Sequence, residues 1–232
     1  MHEFFANSVY FGVLLSLSTY GIGVMLKKRF KCSLLNPLLV AIVLSIGFLK
    51  LFQIEYDIYN EGAKQISYLL TPATICLAVP LYEQFETLKK NYKAILAGIG
   101  SGVVMSLFSV WALANLFRLD HASYVTFLPK SITTAIGMVI SEELGGYVAL
   151  TVVIIVLTGV LGSMIADVVC KIFKIEEPIA KGIGIGTSSH AIGTTKAMEM
   201  GEVEGAMSSL SIVVAGILTV IGANVFAGLP LL

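Results

Sequence analysis

The sequence predicts an all-α membrane protein: a multi-spanning helical bundle with two broken or re-entrant segments arranged as an inverted internal repeat. Three observations predict it. The 232 residues are 56% hydrophobic and 13% charged, where a soluble domain is nearer a quarter charged. The charges that exist are confined to short stretches, leaving uncharged runs at 7–26, 32–49, 65–82, 94–117, 144–166 and 205–232. Crossing a hydrocarbon core takes roughly 20 apolar helical residues, and several of these runs reach that length. The third observation is a pair of similar segments rich in glycine and threonine, taken up below.

The elements follow in order as one transmembrane domain over 1–232, with spans at about 7–26, 34–53, 66–83, 94–117, 147–170 and 205–230. The first run is read as a retained span rather than a signal peptide. It opens on Glu3, is too long for an h-region, and is followed by Lys27, Lys28, Arg29 and Lys31, which resemble an anchor flank. Basic residues gather there, at Lys89, Lys90 and Lys93, and at Lys171, Lys174 and Lys181. The stretch 55–61 reads as an acidic loop. The positive-inside rule places the three basic clusters in the cytoplasm. Span one then enters from outside, and spans two to four alternate, so that the fourth ends outside. The span at 147–170 must end inside, at Lys171. The segment 122–146 therefore begins and ends outside and is either a re-entrant hairpin or a strongly broken helix. The alternative, with Lys171 and Lys174 outside, violates the rule.

Residues 131–145 (SITTAIGMVISEELG) can be laid on 187–201 (TSSHAIGTTKAMEMG). Ala135-Ile136-Gly137 falls on Ala191-Ile192-Gly193, Glu143 on Glu199 and Gly145 on Gly201. After a one-residue slip, Ala149 and Gly159 fall on Ala206 and Gly216. A fainter copy lies at 71–83. Matched, interrupted apolar segments are a sequence pointer to a transporter binding site. One crossing between the copies inverts the second, so 178–201 dips in from the cytoplasm and 122–146 from outside. The plainer alternative is that small residues recur in membrane helices because they serve close packing.

The chemistry concentrates in these segments. Gly182, Gly184 and Gly186 are expected to let the backbone leave helical geometry, and irregular backbone at membrane depth survives only against protein or a water-filled cavity. Thr187, Ser188 and Ser189 supply hydroxyls, followed by His190, Thr194, Thr195 and Lys196. A half-helix beginning there would aim free N–H groups and its positive end at a small anion. Lys130, Ser131, Thr133 and Thr134 repeat that chemistry, with Pro129 at the start of their half-helix. Two positive helix ends with Lys130 and Lys196 point to a carboxylate substrate, although each lysine also fits as an interfacial snorkel. His190, Glu143 and Glu199 are candidates for proton or ion coupling, since a histidine in such a segment titrates near neutrality. A lone histidine is more often a hydrogen-bonded packing residue, and the carboxylates also fit as water-facing helix ends. Asp167 is expected to pair with Lys171, four residues on.

No nucleophile stands with a base at defined spacing, and Gly182–Gly186 lacks the ending of a P-loop. Neither an enzyme nor a cofactor is expected. Cys32, Cys76 and Cys170 are scattered, without metal-ligand spacing, and read as small hydrophobes. Zero net charge and no long basic tract argue against nucleic acid.

Several stretches resemble the LrgB/CidB family: Leu35-Asn-Pro-Leu-Leu-Val-Ala, Thr71-Pro-Ala-Thr with Ala78-Val-Pro-Leu-Tyr, Leu128-Pro-Lys-Ser-Ile-Thr-Thr, Gly186-Thr-Ser-Ser-His-Ala-Ile-Gly-Thr-Thr-Lys, and Glu204-Gly-Ala-Met-Ser-Ser-Leu. The resemblance covers about 8–230. Thr134-Ala135 departs from the threonine-proline of several relatives. The resemblance implies a bacterial inner-membrane protein acting with a small LrgA/CidA-type partner. It implies either an antiholin-like or holin-like regulator of murein hydrolase activity and lysis, or a carrier of small monocarboxylates such as pyruvate, glycolate or glycerate. The interrupted segments favour the carrier. A pore would want a polar stripe along whole spans, which 144–166 and 205–232 lack. The lipid bilayer and a small carboxylate anion are the expected partners, and association with further copies of the chain stays open.

Overall fold

The computed structural model describes residues 8, 10–30, 35–76 and 78–231, and among them there is helix and no strand. The chain divides into two compact units, Met1–Cys76 and Leu77–Leu232.

The first unit holds α1 (Phe11–Phe30), α2 (Pro37–Leu51), α3 (Tyr56–Ser67) and α4 (Leu70–Cys76). Asn36 and Pro37 start α2: proline fits the first helical position, and the Asn36 side chain accepts from the Leu38 and Leu39 amides at 2.9 and 3.4 Å. Glycines let α1 approach its neighbours. A methyl added at Gly12 would overlap the α3 backbone at Tyr59 and Ala63, and one at Gly23 would lie 2.7 Å from the Pro37 carbonyl oxygen. Hydroxyl pairs fix the register, Ser16 with Tyr59 at 2.8 Å and Thr19 with Ser45 at 3.0 Å.

Two expectations change in this part of the chain. The acidic stretch 55–61 is no loop, since most of it lies in α3. One face of α3 is apolar and the other carries Asp57, Glu61 and Lys64, the pattern of an amphipathic helix. The span expected at 66–83 is not one continuous helix. It breaks at the turn 68–69, between the end of α3 and α4, and the described residues 78–83 are helical as well (α5, Ala78–Glu83); Pro72 and Pro80 each remove a backbone donor there. Cys32 lies outside the described residues, Cys76 is exposed and Cys170 is half-buried.

The second unit continues with α6 (Phe85–Phe117), α7 (His121–Phe127), α8 (Thr134–Glu143), α9 (Val148–Ile172), α10 (Pro178–Met200) and α11 (Glu202–Ala227). Helices α6, α9 and α11 are long and apolar enough to cross a membrane. Each shows two faces. On α6, Ile95, Ile99, Val103, Leu107, Val110 and Ala114 are buried at steps of three and four, and they pack with Tyr124, Val125, Met207 and Ala215 into one core. On α9, Leu150, Val153, Leu157, Leu161, Ile165 and Val168 are all about half exposed at the same steps. An apolar stripe of that length is a liability in water and the expected surface in lipid. Helix α6 ends where Arg118 turns left-handed (φ 52°). The Tyr124 hydroxyl ties α7 to the end of α11 through the Phe226 carbonyl at 2.8 Å.

Candidate functional site

Both of the similar segments are helical hairpins. Within α10 the helix breaks at His190, whose backbone (φ 43°, ψ −141°) is non-helical. Eight residues of straight helix span about 12 Å, yet Gly186 and Thr194 lie at one level. Gly186 packs on the Ser208 backbone, and Thr194 Oγ1 lies 2.7 Å from Ser208 Oγ. Gly182 against Glu204 and Gly205 against Met198 continue the pattern along the two arms. The chain therefore enters α10, turns at His190 and returns.

The first segment turns likewise. Thr126 in α7 is level with the end of α8: its Oγ1 accepts from the Tyr147 amide at 2.8 Å, and its carbonyl lies 3.1 Å from Thr151 Oγ1. Thr151 also meets Ser141 at 2.6 Å. Nearer the turn, a methyl on Gly137 would lie 3.5 Å from the Pro129 carbonyl oxygen.

Helix α9 is the rail between them. From its start, Ser141 meets Thr151 and Gly137 packs on Ile155. From its end, Lys196 Nζ meets Asp167 Oδ2 at 2.7 Å, Ser189 packs on Gly162, and the His190 ring packs on Gly159 with Nε2 3.0 Å from the Ile155 carbonyl. The hairpins thus run along α9 from opposite ends, and their turns meet around Ile155 and Gly159. Glycine at 159 and 162 is required by this approach. A methyl at Gly159 would stand 2.7 Å from His190 Cε1, and one at Gly162 would overlap Ser189 Oγ.

A cavity of about 310 Å³ lies beside the two hairpins, lined by Lys130 and Ser131 from the turn of the first, Ile183, Gly184, Thr187 and Ser188 from the entering arm of the second, and a face of α6. That is the lower end of the range for small-molecule sites. Lys130 Nζ donates to Ser131 Oγ at 2.9 Å and to Ser106 Oγ at 3.1 Å, and these two oxygens are 3.2 Å apart. Among the described residues no carboxylate lies within ion-pair distance of Lys130. An ammonium has three donors, so one remains. Thr187, also in the lining, is 5% exposed and its Oγ1 has no hydrogen-bond partner. A buried hydroxyl left unpaired costs about 1–3 kcal/mol.

The other expected site residues are placed as follows. Thr133 and Thr134 begin α8, half-buried, and neither lines the cavity. Ser189 is buried with its hydroxyl 3.0 Å from Ser188. Thr194 Oγ1 donates to the His190 carbonyl at 2.9 Å. Thr195 is exposed and bonds to its own helix at Ile192. Lys196 is held by Asp167 and lies 3.8 Å from Glu199, at a distance along α9 from the turns. Glu143 and Glu199 are both exposed.

Several expectations are corrected. Asp167 meets Lys196 rather than Lys171, because the returning arm of α10 lies against α9 and the closer cation comes from there. Gly182, Gly184 and Gly186 stay helical. Gly182 and Gly186 serve close contact with α11, and Gly184 opens on the cavity. The break falls after the hydroxyls, so Thr187 and Ser188 close the entering arm instead of opening a new half-helix. Pro129 lies in the turn, five residues before α8 begins. The α6 wall was not anticipated. Its signal is Gly98, Gly102, Ser106 and Ser109 at steps of four, four and three within an uncharged run, a stripe of small residues on one helical face.

The family model described as the LrgB-like family matches residues 16–229. Proteins named antiholin-like protein LrgB from Bacillus mycoides (strain KBAB4), Bacillus cereus (strain B4264) and Bacillus anthracis (strain CDC 684 / NRRL 3495) are each 43% identical to this chain over 213 residues, covering 91% of it and 93% of their own length. No solved structure matches the chain.

Proposed function

Because this chain belongs to the LrgB-like family, we propose that it is an antiholin-like protein of the bacterial inner membrane whose molecular act is to bind a small monocarboxylate and carry it across. The antiholin-like half rests on the relatives' name, which is silent on carboxylates. The carrier half rests on one observation: Lys130 lines the cavity held only by hydroxyls, with no carboxylate beside it among the described residues. A cation inside a membrane protein is expensive and is kept where it has work to do. With no acidic partner on the wall, the missing charge is that of the ligand. One cation and several hydroxyls suit a single carboxylate with a neighbouring oxygen. Flux of such an acid is one way for a membrane protein to act on lysis, and a small LrgA/CidA-type partner would act beside it.

The two hairpins are read as inverted copies of one unit. Supporting this, the matched residues make reciprocal contacts. Gly159 meets Ile192, and Gly216 meets Ile136, while the sequence alignment pairs 159 with 216 and 136 with 192. Reciprocity of that kind is what a two-fold relation produces. Ser131 and Thr187, also matched, both line the cavity.

Purified protein in liposomes, supplied with labelled pyruvate or glycolate with and without a pH gradient, tests the carrier. Saturable uptake is expected, lost in Lys130→Met at unchanged abundance. Solute leakage with no saturable uptake, with or without the small partner, would leave only the antiholin-like half.

A further inference from the structure

We propose that Ser106, on α6 and outside both hairpins, is the positioning residue that makes the cavity selective for a negative charge. This rests on the carrier reading of the same cavity and assigns a residue that the duplicated motifs do not contain. Lys130 has two hydrogen-bond acceptors, and they differ in kind. Ser131 is its neighbour on the same turn and travels with it. Ser106 comes from a separate helix, and among the described residues it is the one side chain outside the hairpin to which Lys130 donates.

The arrangement follows from the sequence of α6. Ser106 sits one turn after Gly102 and two turns after Gly98, and all three face the cavity. The glycines keep that wall low: a methyl at Gly102 would stand 2.8 Å from Thr187 Cγ2. Ser106 therefore rises from a wall otherwise free of polar side chains until Ser109. Its own neighbour secures it, since Ser109 Oγ donates to the Ser106 carbonyl at 2.7 Å. The Ser106 hydroxyl accepts from the ammonium and carries no charge. It holds Lys130 at the cavity without neutralising it, so the remaining N–H and the full positive charge are left for a ligand. A carboxylate at this position would form the ion pair internally and remove the reason for an anion to enter.

Two readouts on the full-length protein in detergent or liposomes test this. The first is the rate at which an amine-acylating reagent modifies Lys130, followed by peptide mass spectrometry. The second is the concentration dependence of glycolate and pyruvate uptake. Ser106→Asp is expected to slow acylation about tenfold or more, because an adjacent carboxylate holds the amine protonated, and to abolish uptake. Ser106→Ala is expected to speed acylation and raise KM several-fold with little change in maximal rate, and Ser106→Thr is expected to restore both. Equal acylation rates in the wild type, the alanine and the aspartate proteins would overturn the assignment, as would uptake that survives Ser106→Asp. If the wild-type chain takes up no monocarboxylate, the carrier reading fails, and the acylation series alone decides whether Ser106 holds Lys130.

Discussion

The two hairpins share a plan and divide the work. The first turns over six residues, 128–133, between α7 and α8, and that loose turn contains Pro129, Lys130 and Ser131. The second turns at a single residue, His190, in a conformation that costs a non-glycine residue of order 1–3 kcal/mol. It is pinned by the ring's contact with Gly159 and by the bond from Nε2 to the Ile155 carbonyl. A wide turn can present a long side chain to a cavity, and the first hairpin supplies the cation. A tight turn cannot, and the second supplies short hydroxyls from the helix leading into it. The lysine of the second copy, Lys196, lies on the returning arm with Asp167 and takes no part in the cavity. Similar sequence thus gives two similar shapes with different chemistry at their turns.

The largest expected effect tests that division. Lys130→Met keeps the length of the side chain and deletes the charge. Loss of a charged hydrogen bond is worth about 1.5–3 kcal/mol, or roughly 10- to 100-fold in affinity, and uptake of labelled glycolate at low concentration should fall by that much. Lys196→Met removes a partly exposed ion pair, and such pairs contribute little, so uptake within about twofold of wild type is expected. Comparable losses in the two proteins would mean that both lysines serve the ligand and would erase the distinction between the hairpins.

How far the sequence reaches can be judged on the same residues. The two breaks were legible because proline, glycine and clustered hydroxyls interrupt otherwise apolar runs. For 122–146 the charge rule applied to the flanking lysines left a re-entrant hairpin or a strongly broken helix, and the structure has a hairpin there. The exact position of the second break was not legible. The glycines at 182, 184 and 186 looked like the interruption, but a glycine that packs on another helix and one that breaks its own are the same letter. Nothing local distinguishes His190 from its neighbours, because its strain is sustained by Gly159, thirty-one residues earlier. The partner of Asp167 was misread for a related reason: Lys171 is the neighbour in sequence, and only the returning arm brings Lys196 closer. Ser106 looked like any small residue in a span, and its meaning depends on a lysine twenty-four residues away. Patterns carried within one helix were readable, and chemistry assembled between helices was not.

A middle-sized effect concerns the seats of the two hairpins on the long helices. Gly159→Ala places a methyl 2.7 Å from the His190 ring, which is held on both sides, and Gly162→Ala meets Ser189. Overpacking of this kind typically costs about 1–3 kcal/mol. The matched position Gly216 is roomier: a methyl there lies 3.3 Å from Ile136 Cδ1, the end of a flexible side chain. Gly216→Ala should be neutral or slightly stabilising, since alanine is favoured over glycine within a helix by about 1 kcal/mol. Thermal unfolding in detergent separates them, with lower transitions expected for the 159 and 162 variants and none for 216. Equal destabilisation at 159 and 216 would show the two seats to be as alike as the alignment suggests.

The smallest effect lies where the hairpins are most similar. Each is clasped by a pair of buried hydroxyls reaching from the following long helix: Thr151 with Ser141 at 2.6 Å, and Ser208 with Thr194 at 2.7 Å. The alignment that pairs 149 with 206 also pairs 151 with 208, so the clasps begin from matched residues. Thr151 additionally lies 3.1 Å from the Thr126 carbonyl and so holds both arms of its hairpin, whereas Ser208 Oγ reaches the returning arm, and the entering arm rests on its backbone through Gly186. Side-chain hydrogen bonds between membrane helices average about 0.6 kcal/mol. Thr151→Val is therefore expected to lower stability by about 1 kcal/mol and Ser208→Ala by about half that, read by the same unfolding assay. The order matters more than the sizes. If Ser208→Ala proved the more damaging, the second hairpin would depend on its clasp, and the seat of His190 on Gly159 would not be what holds the tight turn in place.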